Sequence, residues 1–252
     1  MGEQSHLVKR MIRMATKWWT PAVISASSAF YNMQTVFCSK ISLLLIILVH
    51  LGALVCADLQ YVTCGSVLKL ENLQSQVRLH SHDIKYGSGS GQQSVTGTLD
   101  REDNNSHWVV KGKREKACQR GDPIPCGSPV RLEHLVTRKN LHSHHFVSPL
   151  SNNQEISAFG DGGEGDTGDN WTVICSSDFW ERGASVRFKH IDTDAWLCSS
   201  GQTYGRPIGG QVEICGLTYP DSSCHWKTAE GIYIKPTSDV TANRLLHDHS
   251  EL

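Results

Sequence analysis

One four-residue motif recurs three times along this 252-residue chain, and no other feature constrains the fold as strongly. Residues 79–82 and 141–144 both read Leu-His-Ser-His, and residues 197–200 read Leu-Cys-Ser-Ser. A tryptophan follows the leucine of each motif at 29, 30 and 29 residues (79 to 108, 141 to 171 and 197 to 226). Because the same features keep one order and one spacing, the pattern indicates a three-fold internal repeat.

Apolar residues alternate with polar ones within each unit, which is typical of strands that are buried on one face. The alternation covers residues 67–70, 130–134 and 186–190, and Gly- and Asn-rich turns separate such stretches. Each unit supplies about four short strands, and one unit alone cannot bury its apolar face. Three such units therefore predict an all-β closed barrel, which also removes exposed strand edges. We predict a β-trefoil with pseudo-three-fold symmetry over residues 58–235, in units of about 61–120, 121–179 and 180–235.

Three longer stretches carry a family resemblance. Residues 65–70 read Gly-Ser-Val-Leu-Lys-Leu, residues 86–97 read Tyr-Gly-Ser-Gly-Ser-Gly-Gln-Gln-Ser-Val-Thr-Gly, and residues 168–171 read Gly-Asp-Asn-Trp. With the Leu-His-Ser-His motif they closely resemble the MIR repeats of the stromal cell-derived factor 2 family, over nearly all of residues 61–235. MIR repeats also occur in protein O-mannosyltransferases and in the inositol-trisphosphate and ryanodine receptors.

The resemblance implies a trefoil of MIR repeats in the lumen of the endoplasmic reticulum that acts without catalysis and without a cofactor. Its implied partners are a lumenal J-domain co-chaperone, the chaperone BiP and misfolded client proteins, with induction by folding stress. A carbohydrate-binding trefoil is the alternative, since lectins share the architecture. Kinship with the mannosyltransferases suggests an accessory factor of protein O-mannosylation as a further alternative.

The N-terminal region has the features of a targeting segment. Residues 41–57 form an apolar run that follows Lys40 and ends in Val-Cys-Ala, which suits signal peptidase. At 17 residues, the run is shorter than the roughly 20 that a membrane span needs. We predict that residues 1–57 are an N-terminal extension plus a cleaved signal peptide, with no stable membrane span afterwards.

The charge of the remaining chain argues against nucleic-acid binding. The leader holds five of the 24 basic and one of the 25 acidic residues, so 19 basic and 24 acidic residues remain, a net charge of −5. Residues 236–252 are polar and are predicted to form a flexible tail. Its last six residues read His-Asp-His-Ser-Glu-Leu and resemble a lumenal retrieval signal, with Ser250 where Asp is usual. We predict residence in the endoplasmic reticulum, with secretion as the alternative.

Nine cysteines suit the oxidising secretory pathway. Cys64 and Cys126 each precede the glycine that opens a unit, while Cys118 and Cys175 each follow the tryptophan that closes one. Since the first and last strands of a trefoil unit are neighbours, the preferred bridges are Cys64–Cys118 and Cys126–Cys175. Pairing of Cys118 with Cys126 and of Cys64 with Cys175 stays open. The third unit holds three further cysteines, of which one must remain unpaired: Cys198, Cys215 and Cys224.

Two sites match the glycosylation acceptor pattern, at Asn104 and Asn170. Asn104 lies in an Asp-Asn-Asn turn, which favours it, whereas Asn170 precedes a tryptophan that the repeat places in the core.

The repeated motif supplies the candidate binding residues. Two histidines at alternate positions on a strand could ligate zinc, but duplication of a structural unit explains them without a metal, and we predict none. The chain contains no nucleophile elbow or cysteine-protease signature, so we predict no catalytic residue. If the motif forms a binding surface, its residues are Arg78, His80, His82, Gln92 and Gln93, with His142 and His144 as the counterparts in the second unit.

Overall fold

The computed structural model describes residues 61–237. The predicted leader over residues 1–57 and the tail beyond residue 237, with its retrieval-like end, lie outside the described residues. Within the described range the chain is all-β, apart from three single-turn 3₁₀ helices, which agrees with the predicted class. None of the helices in this range is long and apolar enough to cross a membrane.

Each repeat unit contributes four strands and one 3₁₀ turn before its fourth strand. The strands are β1 (Val67–Asn72), β2 (Arg78–Lys85), β3 (Gln93–Thr98), β4 (Trp108–Gly112), β5 (Pro129–His134), β6 (Asn140–Val147), β7 (Gln154–Phe159), β8 (Trp171–Ile174), β9 (Arg187–His190), β10 (Trp196–Thr203), β11 (Val212–Leu217) and β12 (Trp226–Ile232). The 3₁₀ turns are Asn104–Ser106, Thr167–Asp169 and Ser222–Cys224.

The first and fourth strands of the units form a closed barrel. Along the barrel β1 pairs with β4, β4 with β5, β5 with β8 and β8 with β9, all antiparallel. A bridge between Val186 and Trp226 joins the start of β9 to β12, and β12 pairs with β1. Closure leaves no unpaired strand edge in the barrel, which removes a site of edge-to-edge aggregation.

The second and third strands of each unit form a hairpin, and the three hairpins meet through their third strands. Strand β3 pairs with β7, β7 with β11 and β11 with β3, so these pairings also form a closed cycle. The three hairpins therefore contact one another through equivalent positions.

A ring of backbone hydrogen bonds joins the segments by which the chain enters the three units. Val62 N–H donates to Trp180 O at 2.8 Å, Trp180 N–H donates to Ile124 O at 2.8 Å, and Ile124 N–H donates to Val62 O at 3.0 Å. All three side chains belong to the hydrophobic core. Since each residue opens its own unit, the ring joins all three units directly.

A tryptophan fills the equivalent core position of every unit. Trp108, Trp171 and Trp226 are each 0% exposed. Each indole Nε1–H donates to the backbone carbonyl of the motif leucine in its own unit, at 2.8, 2.9 and 2.8 Å. The leucines that accept these bonds are Leu79, Leu141 and Leu197. A buried indole needs such a partner, so the constant spacing from leucine to tryptophan reflects one repeated contact.

Residues 61–237 contain three disulfides. The structure contains Cys64–Cys118 and Cys126–Cys175, the two bridges preferred from the sequence. A third bridge, Cys198–Cys224, lies in the third unit, for which the sequence predicted one unpaired cysteine without saying which. Cys215 is a free, buried thiol.

Candidate functional site

The motif residues of the first unit lie on β2, whose first half is buried and whose second half is exposed. The hairpin register places Leu79 opposite Gly97 in the first unit, Leu141 opposite Ala158 in the second and Leu197 opposite Gly216 in the third. This register makes the motif positions of the three units directly comparable.

The first unit holds a chain of hydrogen bonds through two histidines. His80 Nδ1 lies 2.7 Å from Asp103 Oδ2, and His80 Nε2 lies 2.6 Å from His82 Nδ1. If His80 donates to Asp103 through Nδ1–H, its Nε2 can accept from His82 Nδ1–H. Burial and the neighbouring His80 lower the pKa of His82. Burial acts to raise the pKa of Asp103, but hydrogen bonds from Ser106 and His80 outweigh it and lower that pKa.

The second unit uses its histidines separately. His142 Nδ1 lies 3.0 Å from Asp169 Oδ1, and His144 Nε2 lies 3.0 Å from Glu155 Oε1. Asp169 and Glu155 are both 0% exposed, so each buried carboxylate has an imidazole as partner. The contact between His142 and Asp169 ties β6 to the 3₁₀ turn that precedes Trp171.

The third unit places its disulfide at the position of the contact between His142 and Asp169. Cys198 is the register equivalent of His142, and Cys224 precedes Trp226 by two residues, as Asp169 precedes Trp171. One structural task, fixing the motif strand to the 3₁₀ turn, is therefore performed by a covalent bond here and by hydrogen bonds in the other two units.

The other candidate residues also have structural partners. Arg78 is 3% exposed and forms ion pairs with Glu71 at 3.1 Å and Glu230 at 2.8 Å. Gln93 Nε2–H donates to Ser81 Oγ and to Thr137 Oγ1, both at 2.8 Å. Gln92 Oε1 accepts from Ser157 Oγ at 2.5 Å and lies beside His142 and His144. The structure thus brings both histidine pairs together, with ring centroids 4.8 Å apart for His80 and His82 and 5.1 Å apart for His142 and His144. Contacts within the fold account for the other candidate residues.

Sequence reasoning missed a set of three residues that latch each unit to the preceding one. Each lies seven residues before a motif leucine and donates to the middle carbonyl of the neighbouring 3₁₀ turn. The bonds are Asn72 Nδ2 to Ser223 O at 2.6 Å, His134 Nε2 to Asn105 O at 2.9 Å and His190 Nε2 to Gly168 O at 2.8 Å. All three latch side chains are 0% exposed. The constant distance to the motif was the available signal, but the change from asparagine to histidine obscured it.

The latch histidines predict a loss of stability on mild acidification. Burial lowers the pKa of His134 from 6.5 to about 4, against a hydrogen bond to Asn105 that acts in the opposite direction. Between these pH values the unfolded chain binds a proton that the folded chain does not, so stability falls as the pH falls. From pH 7 to pH 5 we expect the loss from this one residue to be about 2 kcal/mol.

His134→Asn is the matched variant, because Asn72 already occupies the equivalent position in the first unit. Urea unfolding measures the free energy of unfolding at pH 7 and pH 5. Between these pH values the variant should lose about 2 kcal/mol less than the wild type. An equal loss in both proteins would contradict the assignment.

A cleft of about 360 Å³ lies between the second and third units. Its lining includes three histidines and two aspartates, His142, His144, His145, Asp166 and Asp192. His142, Asp166 and Asp169 place one ligand atom each within 4.8 Å of one another, the one such group among residues 61–237. Hydrogen bonding already accounts for all three, because both aspartates cap the 3₁₀ turn, so the geometry does not require a metal.

The two glycosylation candidates differ in exposure to solvent. Asn104 is exposed at the start of its 3₁₀ turn. Asn170 is only 5% exposed, and its neighbour Trp171 fills the core, so a glycan on Asn170 would not fit the folded chain. The prediction of Asn170 as an acceptor is therefore corrected.

We expect Asn104 alone to be glycosylated when the chain passes through the secretory pathway. Asn104→Gln should abolish the mobility shift that an endoglycosidase produces, whereas Asn170→Gln should leave it unchanged. A shift that survives Asn104→Gln would overturn this assignment.

Comparison with known proteins identifies the family. Residues 61–203 match the MIR domain family. Mouse stromal cell-derived factor 2 is 54% identical over 196 residues, which are 78% of this chain and 92% of the mouse protein. The chain belongs to the stromal cell-derived factor 2 family.

Solved structures agree with this family membership. The crystal structure of the SDF2-like protein from Arabidopsis thaliana is 44% identical, with a TM-score of 0.69, and covers 71% of this chain and 99% of that one. The protein O-mannosyltransferase complex of S. cerevisiae, bound to the sugar donor, is 25% identical with a TM-score of 0.62. That match covers 76% of this chain and 30% of the transferase chain. The fold of this chain is thus similar to that of one part of a larger enzyme chain.

Proposed function

We propose that this member of the stromal cell-derived factor 2 family is a non-catalytic binding module of the endoplasmic reticulum lumen. In this role it acts with a J-domain co-chaperone and BiP on misfolded clients, in folding quality control and the stress response. The observation that carries the proposal is the family match, 54% identity over 196 residues.

The fold we propose is a β-trefoil of three MIR repeats. Three closed cycles of contacts support it: the third-strand pairings, the ring of entry hydrogen bonds and the latch side chains. A trefoil holds its hairpin ends in fixed positions, which suits a rigid binding platform.

The distribution of the side chains supports binding rather than catalysis. The motif histidines pair with each other or with carboxylates of the fold. The second halves of β2, β6 and β10 are exposed. Ile84, Phe146 and Val147 are 39%, 49% and 61% exposed at these strand ends. Exposed apolar side chains at the ends of hairpin strands suit a protein-binding surface.

The proposed location has support from the cysteine chemistry and from the two termini. Three disulfides require an oxidising compartment, and the endoplasmic reticulum provides one. The apolar residues 41–57 suit a signal peptide, and the C-terminal residues suit retrieval.

An accessory role in O-mannosylation or a carbohydrate-binding role is the second candidate. The match to part of the yeast protein O-mannosyltransferase complex favours it, since that complex is bound to a sugar donor.

Affinity capture tests the proposal. Tagged residues 58–252 are incubated with microsomal lumen extract, and captured proteins are identified by mass spectrometry. We expect a J-domain co-chaperone with BiP. Phe146→Ser combined with Val147→Ser should weaken capture, while serine at the equivalent Gln202 and Thr203 of the third unit provides the matched control.

Capture of neither protein would overturn the chaperone role. Specific binding on a glycan array, in the absence of both chaperones, would instead support the second candidate. Equal weakening by both serine pairs would contradict the placement of the surface on the second unit.

A further inference from the structure

A second cleft, of about 430 Å³, lies at the junction between the third and first units and is also lined by Ser151 and Asn153 of the second unit. This volume falls within the roughly 300–1,000 Å³ of small-molecule sites. Hydroxyl and amide side chains dominate its lining, among them Asn72, Ser75, Asn153, Ser199, Ser200 and Gln202.

The cleft arises where the third unit departs from the repeat. In the first unit the amide of Gln93 bridges Ser81 and Thr137, with both distances 2.8 Å. In the second unit Gln154 bridges Ser143 and Thr193, at 2.7 and 2.6 Å. Each bridge joins a motif serine to the turn of the next unit and lies across the junction.

Val212 occupies the bridging position in the third unit. The register sets Ser199 opposite Ile214, as Ser81 lies opposite Val95 and Ser143 opposite Ile156, so Val212 corresponds to Gln93 and Gln154. Valine has no side-chain amide, so it cannot bridge Ser199 and Ser75 in the way that Gln93 and Gln154 bridge their partners.

Beside the missing bridge, one buried hydroxyl lacks a hydrogen-bond partner among the described residues. Ser199 is 5% exposed, and among residues 61–237 its Oγ has no hydrogen-bond partner. Its counterparts Ser81 and Ser143 both accept from a glutamine amide. Buried hydroxyls are nearly always hydrogen-bonded, so an unpaired one in the lining of a polar cleft points to a ligand.

The charges around the cleft identify the kind of ligand. Asp221 contributes the one carboxylate of the lining, and it already accepts from Ser223 N–H at 2.8 Å and Ser223 Oγ–H at 2.5 Å. The remaining polar groups are neutral donors and acceptors, unlike the histidines and aspartates of the cleft between the second and third units. A neutral ligand with many hydroxyl groups matches this lining.

We propose that the cleft between the third and first units binds a neutral sugar ring, whose hydroxyl group completes the hydrogen bonding of Ser199. The inference rests on the second candidate function, carbohydrate binding, and gives it a place in the fold. It does not depend on the chaperone partners, because Phe146 and Val147 do not line this cleft.

Protein NMR with ¹⁵N-labelled residues 58–252 tests the proposal. The probes are methyl α-mannopyranoside, methyl β-glucopyranoside and N-acetylglucosamine, each titrated to high millimolar concentration. We expect at least one sugar to shift amide signals of residues 72–75, 199–202 and 221–223 in a saturable manner. A glycosylated peptide and the same peptide without sugar then distinguish a protein-borne sugar from a free one.

Two variants separate sugar binding from folding. Val212→Gln supplies the missing amide and should reduce affinity at least about tenfold while the melting temperature stays equal or rises. Ser199→Ala should also reduce affinity about tenfold, and Ser143→Ala at the equivalent position of the second unit should leave it unchanged.

No saturable shift in these segments with any of the three sugars would overturn the proposal. Binding that persists unchanged in both Val212→Gln and Ser199→Ala would overturn it as well. Neither result would affect capture of the co-chaperone, so failure of this inference is distinguishable from failure of the proposed function.

Discussion

Replacing Trp108, Trp171 or Trp226 by alanine is expected to lower the free energy of unfolding by about 3–5 kcal/mol in each case. Each side chain is 0% exposed, so alanine leaves a cavity in the core. Each substitution also leaves a buried leucine carbonyl without its indole donor. Because the three contacts are equivalent, the three losses should be similar. Urea unfolding of the single variants measures them.

Trp196 provides the matched control. It is only partly buried and contacts the guanidinium of Arg187, whose carbon lies 4.8 Å from the ring centroid. Trp196→Ala should therefore cost well under half as much as the core substitutions. A large loss for one core tryptophan and a small loss for the other two would show that the three units do not share one packing arrangement.

Replacing both cysteines of a disulfide by alanine should produce the second largest loss in the free energy of unfolding. The bridges Cys64–Cys118 and Cys126–Cys175 span 54 and 49 residues, and Cys198–Cys224 spans 26. On the chain-entropy model these separations correspond to about 4 kcal/mol for each of the first two and about 3.5 kcal/mol for the third. Double alanine variants avoid free thiols, and chemical unfolding under non-reducing conditions gives the losses.

Cys215→Ala is the control for cysteine removal without bridge removal. Cys215 is buried and unbridged, and burial raises the pKa of its thiol to about 11, so it is a poor nucleophile. We expect a cost of about 1 kcal/mol. A cost as large as that of a disulfide pair would indicate that Cys215 takes part in bridging.

Features that depend on spacing could be predicted from the sequence. The alternation of apolar residues and the recurring tryptophans indicate an all-β repeat, because burial of the same side chain in three units requires the same spacing. The bridges Cys64–Cys118 and Cys126–Cys175 follow from the same reasoning, since their cysteines occupy matching places at the ends of the units.

Features that depend on the choice of partner could not be predicted. Nothing in the sequence shows that Cys198 and Cys224 replace the contact between His142 and Asp169, because the two pairs share no chemistry. The role of His134 was equally hidden, since only the folded chain brings it to a carbonyl of the preceding unit. Gln93, which the motif made a candidate for binding, joins the first unit to the second. The bridging role of Gln93 and Gln154 is recognised only when the strand register aligns them with Val212.

Amide hydrogen exchange at Val62, Ile124 and Trp180 tests the central claim, that three equivalent units close one barrel. Each of these amides donates to the next unit around the ring. If the ring closes as described, all three amides exchange only through global unfolding, at rates within about threefold of one another after correction for sequence. An exchange rate at one of them about a hundredfold faster than at the other two would contradict the closed three-unit barrel.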